Sequence, residues 1–177
     1  MKHLAGQAMA CVLIWVLVVG GPATAQQNKP VEPETMGVVY LLDSTDQSLK
    51  PLPKETPRRF TGGKGFAGVN TFVQIPESAS SLRVKSGKDL EFIVKSSNPE
   101  GIHLYSFITK GKNRQALVGT SSPKGFRGVS IQQVGQIQLD VTKYGDLSYR
   151  LVMKAPAVGE YGFVVGWDVF DFAVDPN

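Results

Sequence analysis

The chain has 177 residues, 19 lysines and arginines against 15 acids, a net charge of +4 at neutral pH, and one cysteine, Cys11. So small a basic excess, with no block of like charge, gives no support for nucleic-acid binding. A single cysteine excludes an internal disulfide framework.

Lys2, an apolar run from Ala8 to Val19, and the breakers Gly20, Gly21 and Pro22 have the three-part build of a secretory signal. Ala23-Thr24-Ala25 follows with small residues where signal peptidase reads them, so cleavage is expected before Gln26. The rival, a membrane anchor, needs about 20 apolar residues, and this core holds about a dozen. Cys11 precedes most of that core, which is the wrong place for a lipidated cysteine, and it is expected to leave with the signal. The organisation read from the sequence is therefore a signal over 1–25, a polar, proline-bearing flexible leader over 26–35 and one domain over 36–177. Removing 25 residues takes away only Lys2 among the charged side chains and leaves a mature chain without cysteine, destined for the periplasm or the medium.

From there the chain reads as strands. Val38 to Leu42 and Phe72 to Ile75 are short apolar runs, and Asp89 to Lys95 places Leu90, Phe92 and Val94 on one side. Ile102 to Thr109 is apolar on both faces, with Leu104 and Ile108 against Tyr105 and Phe107, which suits a central strand. Lys110 to Asn113 turns it into Gln115 to Val118. Ile137, Leu139 and Val141 alternate with Gln136, Gln138 and Asp140, and Thr142 to Asp146 makes a hairpin turn into Leu147 to Lys154. In that strand Leu147, Tyr149, Leu151 and Met153 share a face opposite Ser148 and Arg150. Pro156 to Glu160 then turns into Tyr161, Phe163 and Val165, and a last strand sets Phe170, Phe172 and Val174 against Asp171 and Asp175. About nine or ten strands at this spacing predict an all-β, antiparallel two-sheet sandwich, with a small barrel as the alternative.

The run Lys143 to Leu151, then Pro156, Gly159-Glu160-Tyr161-Gly162-Phe163 and the closing Val169 to Asp175, resembles the end of a group of secreted bacterial proteins with immunoglobulin-like sandwiches. The resemblance covers about the last third of the chain. It implies an immunoglobulin-like sandwich and brings no site residues with it.

Catalytic chemistry finds little footing. His103, the only histidine after the signal, lies inside the most apolar strand, where a packed residue is expected rather than a base or a metal ligand. Asp168, Asp171 and Asp175 form no calcium-loop pattern and are expected on a solvated face, while Asp43 and Asp46 suit turn capping. No metal and no cofactor is expected. One repetition stands out: Lys64-Gly65-Phe66-Ala67-Gly68-Val69 returns as Lys124-Gly125-Phe126-Arg127-Gly128-Val129, in glycine-rich loops near Arg58, Arg59 and Phe60. Cations beside exposed rings grip anionic or sugar ligands through charge-assisted hydrogen bonds and stacking. The candidate ligand residues are Arg58, Arg59, Lys64, Phe66, Lys124, Phe126 and Arg127. The expected function is a non-catalytic, exported binding domain whose partner is an envelope or extracellular protein. The alternatives are a carbohydrate- or anion-binding module working through those loops, and a secreted hydrolase.

Overall fold

Short apolar runs broken by glycine, proline and asparagine produce strands along most of the described residues. The computed structural model describes residues 31–63, 68–123 and 129–177. The expected signal, its cleavage point, Cys11 and the first half of the leader lie outside the described residues. In chain order the strands are β1 (Val39–Leu42), β2 (Leu49–Pro51), β3 (Lys54–Glu55), β4 (Arg58–Gly63), β5 (Val69–Pro76), β6 (Arg83–Lys85), β7 (Leu90–Lys95), β8 (Ile102–Lys110), β9 (Asn113–Pro123), β10 (Val129–Gln133), β11 (Gln136–Ile137), β12 (Asp140–Lys143), β13 (Ser148–Met153), β14 (Gly159–Val165) and β15 (Asp168–Asp175). The described residues contain no α-helix, only a 3-10 turn at Pro99–Gly101, and among them no helix is long and apolar enough to cross a membrane.

One antiparallel sheet runs β12-β13-β7-β1-β2. The other follows β3-β15-β14-β8-β9-β5-β4, with β10 added to β9, β11 to β8, and β6 parallel to β15. Period-two alternation puts Phe92 and Leu151 of the first sheet against Leu104, Phe163 and Phe172 of the second, all at most 1 % exposed. The rings of Phe163 and Phe172 sit 4.8 and 4.9 Å from that of Phe92, so this main core is aromatic at its centre.

The larger sheet curls, and this makes a second interior. Strands β4, β5, β9 and β10 form a ribbon that turns over the outer face of β8, β14 and β15. Val73, Ile75 and Ala116 from the ribbon pack on Tyr105, Phe107, Val164 and Val169. Both faces of β8, β14 and β15 are therefore covered. That explains why β8 is apolar on each side, and it occupies the interior position expected of it, between β14 and β9. Gly162 of β14 sits in the tightest part: a Cβ there would lie 2.8 Å from Phe107 and 2.9 Å from Val169.

Several expectations give way to this second layer. Asp171 is not on a solvated face; it is 1 % exposed, because the ribbon covers its side of β15. Residues 136–141 are not one strand. Gln136–Ile137 pairs with β8 and Asp140–Lys143 with β13, since the chain crosses between sheets at Gln138 and Leu139. Val141 and Leu147 are each 49 % exposed rather than inward, while Ser148 is fully buried. Ser148 is covered because Glu32, inside the expected leader, accepts its hydroxyl at 2.7 Å and the Asp146 N–H at 2.8 Å. Ile108, near the end of β8, is 57 % exposed. The hairpins at Lys110 to Asn113 and between β12 and β13, and the turn leading into β14, stand as expected. Asp43 and Asp46 accept the N–H groups of Thr45 and Ser48 at 2.9 Å and cap their turn.

Candidate functional site

Where the ribbon arches over β8 and β14, the two layers part and leave a cavity of about 240 Å³. Cross-strand partners share a face of a sheet, so the registers dictate its lining. His103 lies opposite Val164 and two residues from Tyr105, which brings all three to the second interior. Arg59 lies opposite Val73, on the ribbon's concave side, and Gln133 lies opposite Gly119. Arg59, His103, Tyr105 and Gln133 thus meet as polar groups in one concavity, with Val118 and Val164 as its apolar wall.

The mouth is built by the hairpin between β14 and β15. Val165 pairs with Asp168, leaving a two-residue turn of Gly166 and Trp167, and Gly166 takes the positive φ of 60° that such a turn favours at glycine. Trp167 is thereby pushed into solvent, 81 % exposed. Arg59 fixes itself to this tip. One guanidinium N–H donates to the Gly166 carbonyl at 2.8 Å, and the guanidinium carbon lies 5.2 Å from the centre of the Trp167 ring. A planar cation and an exposed indole are thus held together at the entrance to a polar cavity.

Burial holds the His103 imidazole below its ordinary titration range, so at neutral pH the ring is neutral and offers one donor and one acceptor. Gln136 donates from Nε2 to Gln133 Oε1 at 2.6 Å, which fixes the Gln133 amide beside the cavity.

Further along the same layer lies a charged cluster. Arg114, 1 % exposed, donates from Nη1 to Asp171 Oδ2 at 2.6 Å and to Glu160 Oε2 at 3.0 Å, and from Nε to the Glu77 carbonyl at 3.2 Å. Glu160 also accepts Arg83 at 3.1 Å and the Ser80 N–H at 2.9 Å. Arg83 in turn clamps Asp175 and holds its carboxyl below the usual range. Burial, with Asp171 and Glu77 nearby, pushes the Glu55 carboxyl up. Asp171, Glu160 and Asp175 serve the two arginines, and among the described residues no three His, Cys, Asp or Glu side chains group as a metal site.

Of the residues singled out by sequence, Arg59 reaches the cavity. Arg58 does not: it pairs with Gln74 on the opposite face of the ribbon, where Phe60 stacks on Phe72 at 5.3 Å. Lys64, Phe66, Lys124, Phe126 and Arg127 lie outside the described residues. The strands that flank them are neighbours, however. Gly63 pairs with Val69, Val69 with Ser121, and Pro123 with Val129, so Gly63, Val69, Pro123 and Val129 lie at one end of the ribbon. Sequence reasoning missed His103, Tyr105, Gln133 and Trp167 as site residues. The available signals were a histidine in an otherwise apolar strand and a tryptophan after glycine in a two-residue turn.

Compared with known proteins, the chain matches no family model, and no curated protein and no solved structure matches it.

Proposed function

We propose that the protein is an exported, non-catalytic binding domain that takes an acidic carbohydrate at the Arg59 cavity. The observation that carries this reading is the placement of Arg59 between the Gly166 carbonyl and the Trp167 ring, at the entrance to a pocket walled by His103, Tyr105 and Gln133. An exposed indole stacks a sugar face. The remaining guanidinium N–H groups suit a carboxylate, and the neutral imidazole and fixed amide suit hydroxyls that both donate and accept.

We further propose that the sandwich is immunoglobulin-like. Constant-type immunoglobulin domains lay strands A, B, E and D in one sheet and C, F and G in the other. Assigning β1, β7, β13 and β12 to the first set, and β8, β14 and β15 to the second, gives the same neighbours. The Tyr161 hydroxyl, early in β14, donates to the Ala157 carbonyl at 2.8 Å, which is the bond of a tyrosine corner. On this assignment Gly101 and Gly166 belong to the connections before C and between F and G, at the end where variable domains bind antigen. That is an argument by analogy of fold.

The test is calorimetric titration with neutral and uronate-containing oligosaccharides. Saturable binding of the acidic sugars, lost in Arg59→Ala and Trp167→Ala but kept in Arg58→Ala, is the expected result. Equal behaviour of the Arg58→Ala and Arg59→Ala variants would sink the reading.

One observation favours a protein partner instead. All four residues of β12 are exposed, and no strand among the described residues pairs with its outer edge, so it is open to strand addition. Strictly monomeric sedimentation, with no specific protein recovered from envelope extract, would remove that alternative.

A further inference from the structure

A second concavity lies at the opposite side of the main sandwich, where the short strands β2 and β6 end the two sheets without meeting. It is an open groove of about 790 Å³. Its floor is apolar and continuous with the main core: Leu52 is 3 % exposed, and Leu41, Leu82 and Val84 pack partly buried against that core. Its rim carries Lys50, Arg83 and Lys85 against a single acid, Asp43.

Two candidate occupants suit an open sandwich side, a strand or an apolar chain, and the backbone of the β2 wall discriminates between them. A strand would need N–H and C=O groups to pair with. Pro51 and Pro53 have no N–H, the Leu52 N–H is already donated to the Val39 carbonyl, and the Pro53 carbonyl already accepts the Asp171 N–H. This wall is unfit for a ladder, yet it needs nothing changed to receive hydrocarbon. The rim selects the head group. Arg83 is satisfied by Asp175 and Glu160. Lys50 stands 62 % exposed with only a 3.7 Å approach to Asp43, and Lys85 forms no ion pair among the described residues, donating to the Pro176 carbonyl at 3.1 Å and acting on Asp175 only at longer range. The charge left over at the rim is positive.

From this geometry we infer that the cleft is a binding site for a single-chain fatty carboxylate, with the chain on the Leu41, Leu52, Leu82 and Val84 floor and the carboxylate at Lys50 and Lys85. The site shares no lining residue with the Arg59 cavity, so either can fail without the other.

The experiment is calorimetric titration of the purified protein with laurate and with dodecyltrimethylammonium, which match in chain length and differ in head-group charge. Laurate is expected to bind one per chain, at least tenfold tighter than the cation, and to weaken as ionic strength rises. Lys50→Glu with Lys85→Glu alters exposed side chains only and should reverse the preference. Leu82→Trp should fill the cleft and abolish both. If Leu82→Trp does not fold, the charge-reversal pair decides alone. Equal affinity for the two head groups, unchanged preference in the charge-reversed protein, or binding to anionic vesicles without uptake of monomeric laurate would each overturn the inference.

Discussion

Arg114 carries a full charge into the ribbon's interior, and its surroundings are arranged around that fact. Asp171 and Glu160 neutralise it, and a backbone carbonyl takes its Nε proton. Removing one member of such a pair leaves the other buried and uncompensated, so Arg114→Met should cost about 3–5 kcal/mol. Adding Asp171→Leu should return part of that loss, as urea denaturation would measure. Gly162→Ala should also destabilise, since its Cβ would overlap both Phe107 and Val169. Two groups give the pH dependence a testable form. His103 is held neutral by burial, so its folded value lies below the ordinary one of about 6.5. On acidification the unfolded chain takes up that proton first, and stability falls from pH about 6.5 down through the folded value. Asp175, lowered by Arg83, also favours the folded state above the ordinary carboxylate range and loses that contribution as pH falls through its depressed value. His103→Gln should remove the upper limb of the acid-induced loss, and Asp175→Asn should shrink the lower limb, to which Asp46 and Asp89 also contribute, in urea titrations run across pH.

At the scale of elements, strands rich in buried apolar residues were legible and those without them were not. β7 and β13 announce themselves by a dry face that recurs along the strand, and β14 and β15 by nearly continuous apolar runs, since both of their faces are buried. β4 and β10 do not. Arg58 to Gly63 contains one large apolar side chain, and Ile131 of β10 is 80 % exposed, so these strands are held by ladder hydrogen bonds to β5 and β9 rather than by their own burial. Composition alone makes such stretches look like loops, which is how the concave wall that positions Arg59 escaped notice. The ribbon's attachment rests on a few side chains. Ile75→Ala, at a fully buried site, should cost about 2–5 kcal/mol. Amide exchange should then accelerate in β4, β5, β9 and β10 before it does in β7 and β13. Ile131→Asp, on the same ribbon but in solvent, should change stability by less than about 0.5 kcal/mol.

For the whole molecule, the sequence pointed to two facing sheets, and the apolar faces of β7, β8, β13, β14 and β15 do meet across a shared core. A third layer was beyond its reach, because nothing local tells a strand that its outer face will be covered by residues distant in the chain. The buried Asp171 is the trace that layer leaves in the sequence, a carboxylate whose partner, Arg114, lies 57 residues earlier. The final strand, β15, touches everything: β14 beside it, β3 and β6 on its other edge, and an interior on either side. During N-to-C synthesis neither interior can close until β15 has emerged, so the strands made before it wait incompletely packed. On the proposed reading of an exported domain, that delay would leave the chain open for passage through a narrow channel.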